Sequence, residues 1–176
     1  MISLNLKTIR AAREQFEQQY GPEQVNQDGE DLFVLAPVGL AFDVYKDNDQ
    51  FRLVGRVQTT LRLECSRCLE AFPRPVDSSF DLRYQPHSRN TAEGEREVEE
   101  DDLTTAFYEN DAIDLGQLMR EQIYLSLPMK PLCSVGCKGL CPVCGTNLNV
   151  AGCDCPGRWE DPRLAALKAI KSKLAK

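Results

Sequence analysis

The sequence predicts an α+β protein with an antiparallel β-sheet packed with helices and a small Cys-rich module near the C-terminus. Three observations predict it. Apolar and polar residues alternate over a long hairpin at 51–84, apolar residues recur at helical spacing elsewhere, and six of the eight cysteines lie between Cys133 and Cys155. We therefore expect an α+β domain at 1–127, a metal-binding module at 128–160 and a C-terminal helix at 161–176.

The N-terminal segment predicts one short strand and one helix. Residues 1–6 alternate in polarity, as in a strand. Between residues 7 and 19 the apolar spacing of three or four predicts a helix with one buried stripe, formed by Ile9, Ala12, Phe16 and Tyr20. Gly21 and Pro22 end this helix, and the polar residues 22–31 predict a loop.

The middle of the chain predicts β-structure most clearly. Residues 38–44 alternate, residues 46–49 have the composition of a turn, and residues 51–63 alternate again over a long strand with one wet face. The pattern resumes after the C-x-x-C pair Cys65 and Cys68, which therefore lies at the tip of the hairpin. Two prolines, Pro73 and Pro75, predict an edge or a bulge in the returning strand.

Two further helices are expected. Asp114 with Gln117 three residues later is typical of a capping box. The apolar stripe of the helix that follows consists of Leu115, Leu118, Met119, Ile123 and Leu127, and Pro128 ends it. Asp161 and Pro162 then begin the C-terminal helix.

Charge and hydropathy predict a protein in the cytoplasm. No apolar run approaches the roughly 18 residues of a membrane helix, and the first residues do not have the pattern of a signal peptide. The net charge is −6, and residues 93–102 hold seven acids and one arginine. This segment predicts a solvated loop, or else an acidic contact for a basic partner.

In a reducing compartment, clustered cysteines are more typical of a metal site than of disulfides. The eight thiols, Cys65, Cys68, Cys133, Cys137, Cys141, Cys144, Cys153 and Cys155, could fill two structural zinc sites. Our preferred partition joins Cys141, Cys144, Cys153 and Cys155 in one site and the other four in a second. A single site with leftover thiols, a two-metal cluster of the six local cysteines, an iron–sulfur centre and a set of free or disulfide-bonded thiols are the alternatives.

Enzymatic motifs are absent from the sequence. There is no glycine-rich phosphate loop and no Ser-His-Asp set, and His87, the one histidine, stands in a polar stretch. An all-thiolate metal site has no open coordination position. We therefore expect no enzyme. Weak candidates for RNA contacts are Arg52, Arg56 and Arg62 on the wet strand face, with Lys168 and Lys171 near the C-terminus; a solvated sheet face explains the arginines equally well.

The segments ECSRCLEAF, IDLGQLMREQIYLSLPMKPLC and CKGLCPVCGTNLN, with a closing C-x-C, resemble the YceD family. The resemblance covers nearly the whole chain. It implies a bacterial or plastid factor for the synthesis, processing or stability of 23S ribosomal RNA or for ribosome assembly, with ribosomal RNA or ribosomal and assembly proteins as partners. It implies no catalytic residue. A thiol redox sensor using Cys65 and Cys68, or an rRNA-processing enzyme, are the alternative functions.

Overall fold

The chain divides into two compact units. A computed structural model describes residues 2–26, 33–86, 105–155 and 163. The first unit contains Met1–Leu63 and Phe72–Met129, and the second contains Glu64–Ala71 and Lys130–Lys176. The tip of the long hairpin therefore belongs to the same unit as the Cys-rich tail.

The described residues are mostly β-strand. The strands are β1 (Ser3–Asn5), β2 (Arg13–Tyr20), β3 (Phe33–Val34), β4 (Val38–Asp47), β5 (Gln50–Glu64), β6 (Ala71–Pro86), β7 (Thr105–Tyr108) and β8 (Ala112–Asp114). The helices are α1 (Pro22–Val25) and α2 (Leu115–Ser126), with a 3₁₀ turn at Leu6–Thr8. The main sheet has the order β2-β4-β5-β6-β7, with β3 also paired to β5, and β1 pairs with β8 in a second, two-stranded sheet. β7 runs parallel to β6, so the main sheet is mixed and not wholly antiparallel as predicted.

The predicted hairpin is present as β5 and β6, which are neighbours in the sheet. Moving back along β5 from Gln58 to Arg52, the side-chain partner on β6 moves forward from Asp77 to Asp81, as in an antiparallel pair. On β5 the buried side chains alternate with exposed ones; they are Phe51, Leu53, Val57, Thr59 and Leu61. The prolines lie where β6 has no β7 neighbour, because β7 pairs only with Arg83–Pro86.

The helix predicted at residues 7–19 is wrong. Residues 13–20 form β2, an antiparallel neighbour of β4 in which Phe16 faces Phe42 and Tyr20 faces Val38. The rings of Phe16 and Phe42 stack with their centroids 5.2 Å apart. A spacing of four residues fits a strand as well as a helix, and pairing with β4 decides between them. The segment predicted as a loop at 22–31 begins with α1.

The predicted helix after Asp114 is present as α2. The side chain of Asp114 accepts a hydrogen bond from the Gln117 backbone N–H at 3.0 Å, which satisfies an N-terminal donor of the helix. The Gln117 amide donates to Glu121 at 2.7 Å, one turn further along the helix. The apolar stripe of α2 is buried in the same hydrophobic core as the inner face of the main sheet.

Several predicted features lie outside the described residues. They are the acidic segment 93–102, His87 and most of the C-terminal helix 161–176, including Lys168 and Lys171. Within the part of the chain that is described, no helix combines the length and apolar character that crossing a membrane requires.

Candidate metal centre

The eight cysteines come together in two groups of four. The first quartet is Cys65, Cys68, Cys133 and Cys137, and the second quartet is Cys141, Cys144, Cys153 and Cys155. Within each quartet all sulfur atoms lie within 4.8 Å of one another. These are the two sets that the preferred sequence partition expects, and either set could hold a metal ion. Metal binding itself stays a prediction.

The sulfur spacing of the first quartet fits tetrahedral coordination. The Sγ atoms of Cys65 and Cys137 are 3.7 Å apart, and so are those of Cys68 and Cys133. Zn–S bonds of about 2.3 Å at tetrahedral angles place neighbouring sulfurs about 3.8 Å apart. A disulfide requires about 2.05 Å, so these contacts are between separate thiols.

Backbone hydrogen bonds within the second unit join the hairpin tip to the tail. Ser66 donates to the carbonyl of Pro131 at 2.9 Å, and Leu140 donates to the carbonyl of Arg67 at 3.1 Å. The Arg67 guanidinium donates to the carbonyl of Cys137 at 2.9 Å. The tip thus contributes two thiols to the first quartet and also holds the backbone that carries the other two.

In the described part of the second unit, cysteine sulfur takes the place of a hydrophobic core. The main core cluster contains no residue of Glu64–Ala71 or of the described tail. The buried hydrophobic residues of the second unit, within the described part, are Cys65, Cys68, Cys137 and Cys141. Among the described residues of this unit, burial of aliphatic side chains therefore contributes little to folding.

Hydrogen bonds lower the pKa of some thiols in each quartet and raise the pKa of others. Burial opposes ionisation of Cys65 most strongly, but backbone N–H groups of Cys133, Cys68 and Arg67 together outweigh it and lower the pKa of Cys65 to about 6. The backbone of Glu70 favours the Cys68 thiolate, yet burial and the neighbouring thiols raise its pKa to about 12.

The second quartet behaves in the same way. Hydrogen bonds from the Thr146 side chain and backbone lower the pKa of Cys144 to about 6. Interaction with the Cys144 side chain is the main cause of the raised pKa of Cys155, which is about 12. Four thiols at this spacing cannot all ionise unless a cation neutralises them, and a divalent metal ion is such a cation.

Polar side chains that the sequence pattern did not predict contact the sulfurs. The Asn149 amide donates to the Sγ of Cys137 at 3.3 Å, and the Thr146 hydroxyl lies 3.1 Å from the Sγ of Cys144. Such partners orient metal ligands and adjust their basicity. Asparagine and threonine have no characteristic spacing around a metal site, so their proximity to the cysteines was the only signal available.

The candidate RNA-contact arginines are on the outer face of the sheet, where two of them face carboxylates. Arg52 donates to Asp81 through two bonds of 2.7 and 2.5 Å, and Arg56 lies 4.0 Å from Asp77. The exposed Arg62 is opposite Phe33 on β3. Cross-strand ion pairs of this kind stabilise a sheet and partly neutralise its surface.

The fold and the quartets define a protein that combines a mainly antiparallel sheet unit with a Cys-rich unit whose two four-thiol sites could hold metal ions. The family described as "Large ribosomal RNA subunit accumulation protein YceD" matches residues 53–171. The chain belongs to this YceD family.

Named relatives include plant proteins of the chloroplast. The maize protein "Large ribosomal RNA subunit accumulation protein YCED homolog 1, chloroplastic" is 30% identical over 154 residues, which cover 69% of this chain and 50% of the maize protein. The Arabidopsis thaliana homolog 1 is 26% identical over 172 residues, covering 86% of this chain and 54% of that protein. The chain therefore spans about half the length of these curated relatives.

A bacterial relative is also similar. The Bacillus subtilis "Uncharacterized protein YlbN" is 32% identical over 109 residues, which cover 61% of this chain and 59% of that protein. No solved structure matches the chain.

Proposed function

We propose that this protein is a non-enzymatic factor that supports accumulation of 23S ribosomal RNA, through its synthesis, its processing, its stability or ribosome assembly. Membership of the YceD family is the observation that carries this proposal, and the relatives named for large-subunit ribosomal RNA accumulation support it. A cytoplasmic location, or the equivalent compartment of a plastid, is part of the proposal because ribosomes assemble there.

Each quartet holds one structural zinc ion in this proposal. Zinc takes tetrahedral thiolate sites, and the 3.7 Å sulfur contacts support that geometry. The arrangement of the eight cysteine sulfurs in two separate groups of four argues against a two-metal cluster of the six local cysteines. Four-thiolate sites also hold iron–sulfur clusters, but the paired knuckles, one C-x-x-C in each quartet, favour zinc.

The metal has a structural role in this proposal because four thiolates complete its coordination. A catalytic zinc keeps one position open for water or substrate and usually has histidine or carboxylate ligands. The described quartets contain only thiols. The zinc ions therefore fold the second unit, and the function lies in binding to a partner.

Burial argues against the redox-sensor alternative. A low thiol pKa, such as that of Cys65, is one requirement of a reactive cysteine, and access is another. The side chains of Cys65 and Cys68 are buried in the protein. Their close sulfur neighbours are Cys137 and Cys133 respectively, as expected for shared metal ligands.

The partner in this proposal is either ribosomal RNA or a ribosomal or assembly protein. RNA contact through Arg52, Arg56 and Arg62 requires phosphates to compete with Asp81 and Asp77 for two of the guanidinium groups. A variant with all three arginines changed to glutamate tests this directly. Loss of a salt-dependent affinity for 23S rRNA fragments supports the RNA contact, and unchanged affinity excludes this face.

Zinc content is the first measurement for the proposal. Protein purified without chelator should contain two zinc ions per chain by elemental analysis. A variant with Cys65 and Cys68 both changed to serine should contain one, because the second quartet has all of its ligands in the tail. Metal-free wild-type protein would reject structural zinc.

The cellular test uses cells that lack their own YceD protein. Expression of this chain should restore the ratio of large-subunit to small-subunit ribosomal RNA, and the variant lacking Cys65 and Cys68 should not. Val135→Ala is the matched control, since Val135 lies between two ligands of the first quartet with its side chain almost fully exposed. A wild-type chain that leaves the ratio unchanged would contradict the proposed function.

A further inference from the structure

A short segment, Thr146–Asn149, contacts both quartets and is here called the bridging segment. It lies in the loop that the second quartet closes, between Cys144 and Cys153. Backbone hydrogen bonds fix it on both sides: Cys141 donates to the carbonyl of Thr146 at 2.8 Å, and Leu148 donates to the carbonyl of Gly139 at 2.9 Å. The segment therefore has little freedom to move independently of the cysteines.

One end of the bridging segment belongs to the second quartet. The Thr146 hydroxyl is 3.1 Å from the Sγ of Cys144. A metal ion in the second quartet would thus hold Thr146 in place through its ligand.

The other end of the bridging segment belongs to the first quartet. The Asn149 amide donates to the Sγ of Cys137 at 3.3 Å, and its oxygen accepts the backbone N–H of Lys138 at 2.8 Å. Asn147 orients this side chain, because its oxygen accepts from the Asn149 amide at 2.9 Å and from the Asn149 backbone at 3.0 Å. Asn147 also reaches the hairpin tip, donating to Glu70 at 3.4 Å.

We propose that Asn149 is a positioning residue for the metal ion of the first quartet and that the bridging segment couples the two metal sites. Metal in the second quartet closes the loop that presents Asn149, and Asn149 then orients the Cys137 thiolate toward the first ion. Binding at one site raises the affinity of the other by the same factor, as thermodynamic linkage requires. This inference rests on the proposed binding of zinc by both quartets.

Burial sets the order in which the two sites exchange metal. Three of the four cysteines of the first quartet are buried, whereas Cys141 alone is buried in the second. A chelator therefore reaches the second ion first. Its removal releases the bridging segment and weakens the site that joins the tail to the hairpin tip.

Cobalt(II) is the probe for the coupling, since its thiolate complexes absorb visible light and its affinity can be measured by chelator competition. The variant with Cys153 and Cys155 changed to serine keeps the first quartet and opens the loop. We expect its first-site affinity to fall about tenfold, the lower end of the usual effect of losing an outer partner of a ligand. Asn149→Ala, with both quartets intact, should give a similar fall at the first site and, by linkage, an equal fall at the second site while the first is occupied.

The effects of Asn149→Ala and of the serine changes at Cys153 and Cys155 on first-site affinity should not be additive. Asn149→Ala combined with the two serine changes should weaken the first site no more than either alone, because both remove the same contact. Asn149→Asp retains the size of the side chain and removes the amide donor, so it should weaken the site as well. Val150→Ala, an exposed neighbour in the same loop, is the control and should leave both affinities unchanged.

The outcomes separate this inference from the proposed function. Wild-type protein that binds no metal would overturn both. Two bound ions with a first-site affinity unchanged by Asn149→Ala, or by opening the second quartet, would overturn the coupling alone. Additive losses of first-site affinity in the combined variant would show that the coupling does not act through the bridging segment.

Discussion

Leu69 and Gly145 occupy the same position in the two C-x-x-C turns, directly after the second cysteine. Both have a positive φ, 60° for Leu69 and 74° for Gly145. Each donates its backbone N–H to the carbonyl of the first cysteine, Cys65 or Cys141, at 2.9 Å. The two turns thus share one backbone geometry, but only the second has the glycine that adopts it without steric cost.

Gly145→Ala should destabilise the second unit by about 1 kcal/mol. A methyl group at this position meets no atom within 4 Å, so the cost comes from the left-handed backbone rather than from a clash. The measurement is the urea-induced unfolding of the metal-loaded protein.

Gly152→Ala is the control for that change, because its added methyl group also meets no atom and its φ is not in the left-handed region. It should leave the urea midpoint nearly unchanged. Leu69→Gly is the reverse substitution and should not destabilise, since the Leu69 side chain is 58% exposed and contributes little burial. Equal losses of stability for Gly145→Ala and Gly152→Ala would contradict the explanation by backbone conformation.

Gly55→Ala should destabilise the main sheet by about 1–3 kcal/mol, the range for overpacking a core. Gly55 faces Phe42 across β4 and β5, and its added methyl would lie 2.4 Å from the Phe42 Cβ and 2.3 Å from the carbonyl oxygen of Ala41. Gly39→Ala is the matched control on the same pair of strands, since its nearest contact would be 3.8 Å. Equal midpoints of thermal unfolding for Gly55→Ala and Gly39→Ala would contradict the steric argument.

The sheet was predictable from the sequence where one face is uniformly apolar. On β5 the buried and exposed residues alternate over many positions, so the period of two is distinct. On β2 the exposed polar Gln18 lies between the half-buried Phe16 and Tyr20, and this interruption left a pattern that fits a helix equally well. Long-range pairing with β4, which local patterning does not encode, determines the strand.

The candidate site was predictable as far as its sulfur ligands. Cysteine pairs separated by two residues restrict how four thiols can meet, so spacing and short loops led to the two quartets. Asn147 and Asn149 were not predicted, because their role depends on a turn that brings residue 149 back to Cys137. No periodicity or motif in the chain records that contact.

Asp81→Asn should lower stability slightly near neutral pH, and the difference from wild type should disappear in acid. Hydrogen bonds from Arg52 hold the pKa of Asp81 below its ordinary value, opposed by a little burial. A lowered pKa in the folded state stabilises the protein above the unfolded pKa of about 3.9, and this contribution is lost as pH falls through the folded value. Urea midpoints at pH 7 and below about pH 3 measure the difference.

Salt and a second variant test the origin of that effect. About half of each side chain in the Arg52–Asp81 pair is exposed, so 1 M salt should remove most of the difference at neutral pH. Asp77→Asn should have a smaller effect, because Asp77 lies 4.0 Å from Arg56. A difference that persists unchanged in acid and in high salt would exclude the ion pair as its source.

Removal of metal should unfold the second unit and leave the sheet of the first unit intact. Zinc bound by four thiolates can supply on the order of 10 kcal/mol of folding free energy, and the second unit has no described aliphatic core to replace it. Amide hydrogen exchange measures both units in one experiment. After chelation the amides of Cys141 and Leu148, which are hydrogen-bonded within the tail, should exchange at the rates of an unfolded chain. The amides of β4 and β5 should keep their protection, and addition of zinc should restore protection in the tail.

Acidification should have the same local effect as chelation, because protons compete with the metal for the thiolates. Protection of Cys141 and Leu148 that survives complete removal of metal would show that the second unit folds without it.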